Sequence, residues 1–503
     1  MNKAMKELQA RVPLMPHTYA ALGFALHGVA ATQQVGRLCD HSAQVQAGDV
    51  FLCLPRAHAQ RQAFVHAAVQ VGAQAVVCVG DTGVDVPEGV ASLMLPDMAV
   101  LGAWLRQYFG TETCTTRCIG VTGTDGKTSV AWMLRQALAR YAGAAWSSGT
   151  LGWMCSDDDI YDLGNTTPSL LCMHYLLAAA QQEKLPYWVM EVSSHGIEQQ
   201  RIAGIPISAV MWTTLGHDHL QDHGGFENYA ALKASVLHQV VANGGVAVVN
   251  AAQERMQPYV ADMPHHAYRL GRVDGQADKA VMYGDMRAVG VLDLCVDGAS
   301  IGVDDVPVGV FHAENMTGVA QMLRCLGLSM MDIQACVSAM PAPKGRMQAI
   351  ENAQGLQVYV DYAHTPEGLQ ACLQSARGLA SGRVLVVFGC GGNRDVAKRP
   401  QMGQAAVAQA DEVWVTSDNP RDEAPMQIIQ DIVAGMDDSN HVHVCEQRGV
   451  AIAAALDALG VDDVLVVAGK GHEQGMVVGD TVLPWDDAAY VQEYLAAKEP
   501  TCR

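Results

Sequence analysis

The stretch Arg117-Cys118-Ile119-Gly120-Val121-Thr122-Gly123-Thr124-Asp125-Gly126-Lys127-Thr128-Ser129 decides the fold. Its apolar start reads as a short strand, its glycines as a tight turn, and the residues from Lys127 onward as a helix. Such a strand-loop-helix aims backbone N–H groups and the positive helix end at phosphate oxygens. A lysine then reaches the terminal phosphates, and a hydroxyl can ligate Mg²⁺. The spacing departs from the usual phosphate loop: glycines stand at 120, 123 and 126, and valine occupies position 121, where the first glycine is expected. The alternative is a plain glycine turn before a helix, but the lysine and hydroxyls favour phosphate.

Outward from this loop, apolar runs of strand length (75–79, 188–192, 246–250, 384–389, 412–416 and 464–469) alternate with helix-length stretches at 129–141, 168–183 and 400–409. The alternation predicts an α/β protein with parallel sheets covered on both faces. Three domains are expected: residues 1–112, a small α/β domain; 113–343, a central P-loop ATPase-like parallel-sheet domain; and 344–503, a Rossmann-like domain. The breaks fall at Thr-rich sequence after Arg106 and at Met340-Pro341-Ala342-Pro343-Lys344-Gly345. An apolar stretch at 19–32 follows Lys3, Lys6 and Arg11 and resembles a leader, but Pro13, Pro16 and His27 favour a first amphipathic helix.

Composition narrows the function classes. The 503 residues suit several domains, and a net charge of −20 opposes general affinity for nucleic acid or anionic membranes. Charged residues at 17% and apolar ones at 50% exclude a largely disordered chain. The 14 cysteines lack a C-x-x-C pair and read as reduced core thiols; with no run of 18 apolar residues, a cytoplasmic protein without membrane insertion is expected.

Two further constellations carry chemistry. Glu191-Val192-Ser193-Ser194-His195-Gly196 closes an apolar strand, and a carboxylate at that edge is a candidate Mg²⁺ ligand rather than a solvated strand end. His217, Asp218, His219, Asp222 and His223 approach the H-x-H-x-D-H pattern of metallo-β-lactamase-like hydrolases, but two residues, not one, separate His219 from Asp222, which disfavours a zinc pair.

Residues 120–129, Asn165-Thr166-Thr167-Pro168, 191–196, Asp218-His219-Leu220, Asp361-Tyr362-Ala363-His364-Thr365-Pro366, 388–400, Asp418-Asn419-Pro420-Arg421 and 469–473 together resemble, in order, the motifs of the Mur ligases. The resemblance spans about 115–480 and is closest to members that add diaminopimelate as the third peptide residue of peptidoglycan. It implies an ATP-dependent amide ligase using ATP and Mg²⁺, with UDP-N-acetylmuramoyl-dipeptide and meso-diaminopimelate as substrates, working as a monomer.

The resemblance also implies roles. Lys127, Glu191, His219 and Lys233 form the catalytic set, with Thr128, Glu191, His219 and a carbamylated Lys233 around the metal. Gly123, Thr124, Asp125, Gly126, Lys127, Thr128, Ser129, Arg346 and Asp361 bind ATP. Ser42, Asn165, Thr166, Thr167, Ser193, Gln199 and Arg201 bind the UDP substrate, although a Thr-rich loop and a strand-end serine also have turn and capping roles. Arg394, Asp418, Asn419, Arg421, Gly469 and Glu473 bind the amino acid, Arg421 offering two parallel donors to a distal carboxylate. The cationic members of these sets are expected to converge on one cleft.

The departures lie mostly at the front. His41-Ser42-Ala43 stands where the family has D-S-R, and Gln60-Arg61-Gln62 where it has D-G-R or D-G-H. Asp125 and Thr214 replace asparagines, as does His312. The missing D-S-R and D-G-R motivate one alternative, a nucleotide-binding paralogue without activity or uridine recognition; a ligase for lysine or another amino acid is a second alternative.

Overall fold

The computed structural model describes residues 3–13, 17–26, 30–55, 58–80, 83–216, 223–271, 281–436 and 441–498. The chain divides into two compact units, residues 1–267 and 268–503.

In the first unit, strands β1 (Leu38–Cys39), β2 (Val50–Cys53), β3 (Ala75–Val79) and β4 (Ala91–Leu95) pair in sequence order, all parallel. The second sheet contains β5 (Arg117–Thr122), β6 (Trp146–Gly149), β7 (Gly152–Met154), β8 (Ile160–Tyr161), β9 (Tyr187–Glu191), β10 (Ile207–Trp212) and β11 (Val246–Asn250), in the order β11-β10-β5-β9-β6-β7-β8. Its strands from β11 to β6 are parallel, and residues of β5, β9 and β10 such as Ile119, Val189 and Val210 are fully buried. The register sets Val121 beside Glu191 and Thr122 beside Trp212. The phosphate loop therefore leaves the carboxyl end of a central strand, the edge where α/β sheets bind ligands.

The two sheets share one apolar core. Helix Met98–Phe109 buries Leu101, Leu105 and Phe109, and Phe109 meets Tyr175 edge-on at 4.8 Å and stacks on His174. Gly102 on that helix lies against the backbone of Gly204: a Cβ at 102 would sit 2.5 Å from the nitrogen of Gly204.

The second unit begins inside β12 (His266–Leu270). The strands β13 (Val281–Ala288), β14 (Val291–Val296) and β15 (Ala299–Val303) run antiparallel. A six-stranded sheet follows, built from β16 (Gln348–Ala349), β17 (Gln357–Asp361), β18 (Val384–Phe388), β19 (Glu412–Val415), β20 (Val442–Val444) and β21 (Val464–Ala468), in the order β16-β17-β21-β18-β19-β20. Only β16 is antiparallel. Helices Pro366–Leu379, Lys398–Gln409 and Pro425–Val433 cover one face, and Arg448–Ala458 and Asp487–Ala497 the other. A hairpin of β22 (Gly475–Val478) and β23 (Thr481–Pro484) completes the unit.

One expectation needs correction. The described part of 19–32 is not helical; the first helix is Lys3–Arg11. Gly23 turns the chain at φ +81°, and Ala25 exchanges backbone hydrogen bonds with Ser92, drawing Tyr19, Leu22 and Phe24 into the core. The parallel sheets expected from the alternation are present, with antiparallel strands added to them. Asp297 and Gly298, at φ +48° and +79°, make the left-handed turn that reverses β14 into β15. The cysteine reading agrees with the described residues, where the thiols are free and mostly buried. No helix among those residues is long and apolar enough to cross a membrane.

Candidate active site

The phosphate loop of the first unit is braced by the residues that follow β10. Thr213 donates its hydroxyl to the Asp125 carbonyl at 2.5 Å, while Thr214 Oγ1 accepts from the Asp125 N–H at 2.8 Å. Thr214 thus supplies a hydrogen bond to the loop where the family pattern has asparagine, and Asp125 itself is exposed. A Cβ at Gly123, whose φ is +151°, would lie 1.9 Å from Thr213 Oγ1, so only glycine fits. Gly126, at φ +82°, then opens helix Lys127–Ala142, with Thr128 and Ser129 buried in its first turn.

Two lysines meet on this loop. Lys127 Nζ donates to the carbonyls of Gly123 and Thr124, both at 2.8 Å, and Lys233 Nζ donates to the same Gly123 oxygen at 3.0 Å. Lys233 is buried and lies 4.6 Å from the centre of the Tyr229 ring. Beside them, Glu191 accepts from Thr128 Oγ1 at 2.9 Å, from Thr150 N at 2.8 Å and from Thr150 Oγ1 at 3.2 Å. A Cβ at Gly149 would come within 2.0 Å of Glu191 Oε1. This hydroxyl and carboxylate are the hard oxygen donors that suit Mg²⁺. His217, Asp218, His219 and Asp222 lie outside the described residues, and among those described no cluster of three or more His, Cys, Asp or Glu could hold a metal.

An open cavity of about 370 Å³ adjoins the loop. Of the residues assigned from sequence, Lys127, Asn165, Thr166, Thr167, Ser193, Gln199, Arg201 and Lys233 line it, whereas Ser42 does not. Local bonds fix its wall. Thr167 Oγ1 donates to the Glu191 carbonyl at 2.9 Å, Ser193 caps helix Ser194–Glu198 through Gly196 N, and Arg201 Nη1 donates to the Thr167 carbonyl at 2.6 Å. The turn and capping roles open to these side chains are thus realised in the cavity wall. Ser42 opens a short 3₁₀ turn beside the Arg37–Asp49 ion pair of the first sheet.

In the second unit the candidates gather at the carboxyl ends of β17, β18, β19 and β21. Asp361 accepts from Met347 N and Ala363 N, each at 2.7 Å; burial raises its pKa and the charge of Arg346 opposes that rise. Arg346 stacks 4.6 Å from the Tyr362 ring centre, and its carbonyl bonds His312 Nε2 at 3.0 Å. A Cβ at Gly391 would lie 2.9 Å from Arg421 Nη1 and 3.8 Å from Arg394 Cγ, so the two arginines approach each other over a glycine. Arg421 donates to the Gly392 carbonyl at 2.8 Å, while its backbone N–H bonds the Val477 carbonyl. Gly469, at φ +108°, leaves room for Asp418, and Asn419 Nδ2 donates to Glu473 Oε2 at 2.8 Å. Thr150, Thr213 and Lys470 were not singled out from the sequence. Lys470 stands inside the motif at 469–473, whereas the two threonines carry no local signal.

A phosphate loop with paired lysines and a strand-end carboxylate, with two neighbouring arginines in the second unit, suits an enzyme that acts on a nucleoside triphosphate. Residues 121–323 match the model of the Mur ligase middle domain, and 345–471 that of the Mur ligase, glutamate ligase domain. The UDP-N-acetylmuramoyl-L-alanyl-D-glutamate--2,6-diaminopimelate ligase of Xylella fastidiosa is 36% identical, over 91% of this chain and 93% of its own; that of Rhizobium meliloti is 34% identical, over 95% and 97%. A solved structure of a ligase of this name superposes with a TM-score of 0.68 at 28% identity, covering 97% of this chain and all of its own, and MurF from Acinetobacter baumannii shares the fold at 0.62 and 18%. The chain belongs to the Mur ligase family.

Proposed function

We propose that this chain joins meso-diaminopimelate to UDP-N-acetylmuramoyl-L-alanyl-D-glutamate in peptidoglycan synthesis, converting ATP to ADP and phosphate. The observation that carries this reading is the cavity wall where Lys127 and Lys233 share the Gly123 carbonyl beside Thr167 and Arg201. A carboxylate is a poor electrophile, so it first takes the γ-phosphoryl group as an acyl phosphate; the free amine then adds to the acyl carbon, and phosphate leaves from the tetrahedral intermediate. Little covalent work falls to the protein, whose task is positioning and charge neutralisation.

In this reading Lys127 turns from its loop carbonyls to the β- and γ-phosphates, and the N–H groups of 123–129 cradle them. Arg346 and Asp361 serve the nucleotide. Thr128 and Glu191, with His219 and a carbamylated Lys233, would hold Mg²⁺, which would supply positive charge to the phosphoryl oxygens. Asn165, Thr166, Thr167, Ser193, Gln199 and Arg201 hold the muramoyl peptide, with Ser42 toward the uridine end. Arg394 and Arg421 take the distal carboxylate, and Asp418, Asn419, Gly469 and Glu473 the amino groups. Residues 1–112, 113–343 and 344–503 then act as uridine-nucleotide, ATP and amino-acid domains of a cytoplasmic monomer.

The test is phosphate release under Mg²⁺ with ATP, the UDP-dipeptide and, in turn, meso-diaminopimelate, lysine and ornithine. Release with meso-diaminopimelate alone is expected. No release with any of the three overturns the reading, and release with lysine corrects the substrate.

A further inference from the structure

Lys470 carries a charge that the chemistry described so far does not use. Its ammonium is fully buried, so it cannot touch a substrate, yet it donates to Asn419 Oδ1 at 3.0 Å and to Glu473 Oε2 at 2.9 Å. Asn419 Oδ1 also accepts from Val477 N at 2.9 Å. With both donors on its oxygen, the amide has one allowed orientation, and its Nδ2 points at Glu473 Oε2, 2.8 Å away. Glu473 Oε2 is therefore held by two donors. Burial raises the pKa of Asp418, one residue before Asn419, and the charges of Arg448 and Lys470 oppose that rise.

We propose that Lys470 is a positioning residue for the incoming amino acid: it fixes the Asn419 amide and ties down one oxygen of Glu473, so that both face the amino acid in one arrangement. This rests on the assignment of Asp418, Asn419 and Glu473 to the amino-acid pocket. A buried lysine acting only as a packing element would affect stability and the fraction of active enzyme. One acting through Asn419 and Glu473 changes affinity for the amino acid.

The experiment measures KM for ATP, for the UDP-dipeptide and for whichever amino acid the wild-type chain uses, in Lys470→Met, Glu473→Gln and the double variant. Partial unfolding lowers apparent kcat and leaves KM unmoved, so the split is readable on a destabilised protein; Lys470→Gln serves where the methionine variant gives no folded enzyme. Lys470→Met is expected to raise KM for the amino acid about tenfold, as loss of a charged hydrogen-bond partner does, with KM for ATP within about twofold of wild type. The double variant should raise the amino-acid KM by less than the product of the two single effects, because Glu473 is one of the two partners through which Lys470 acts. An unchanged amino-acid KM in Lys470→Met, or effects that multiply in the double variant, overturns the inference. Wild-type turnover of lysine instead of meso-diaminopimelate corrects the substrate reading alone, and the KM for lysine then decides the role of Lys470.

Discussion

Arg421 sits in the left-handed region, at φ +51°, with its N–H and carbonyl strapped to Val477 and Gly479 and its guanidinium bonded to the Gly392 carbonyl. A side chain held at both backbone and head loses little entropy on meeting a carboxylate, and its planar fork matches one bidentately. Arg421→Ala should raise KM for meso-diaminopimelate about tenfold and leave KM for ATP unchanged, as steady-state kinetics with each substrate varied will show. The identity of Arg421 was legible because Asp-Asn-Pro-Arg is contiguous. The role of Lys470 was not, since its partner Asn419 lies 51 residues away and only the fold sets their distance.

At the scale of elements, β6 is built around a missing side chain. Gly149 ends that strand where the carboxylate of Glu191, at the end of β9, occupies the space a Cβ would need. Gly149→Ala should displace Glu191 from Thr128 and Thr150 and lower kcat by about tenfold or more, with far-UV circular dichroism unchanged. Rapid-quench measurement of phosphate release checks it, and wild-type kcat would show that Glu191 tolerates the shift. Most strands were legible from their apolar runs, because sheets buried on both faces demand continuous β-branched sequence. The antiparallel β13–β15 region was less so: its strands are partly exposed, and its turn signal, Asp297-Gly298, is two residues long. The expected helix at 19–32 failed because one glycine and a pairing with a residue some 67 positions later outweigh a local apolar pattern.

At the scale of the whole molecule, burial favours the neutral form of three histidines among the described residues. Burial pushes His174 in the first unit, and His312 and His472 in the second, down to about 4. Below about 6.5 the unfolded chain takes up protons that the folded chain refuses until about 4, so the unfolded state binds more protons and stability falls as pH drops through that window. Each histidine contributes at most about 1.4 kcal/mol per pH unit there. Urea midpoints should therefore fall between pH 7 and pH 5, and equal midpoints would show that these sites accept protons when folded. His312 stands where the family pattern has asparagine; the fold accommodates it through the Arg346 carbonyl, a contact no sequence pattern announces.

The contact between Gly102 and Gly204 has a consequence for dissecting the chain. Where two backbones touch without side chains between them, neither partner can be trimmed and replaced by solvent without uncovering what surrounds the seam. A chain started at residue 113 would leave Tyr175 and the apolar face of helix Leu170–Gln182 without Leu101, Leu105 and Phe109. Such a fragment should emerge from expression as inclusion bodies, or bind a hydrophobic dye when refolded, although it keeps every residue of the phosphate loop.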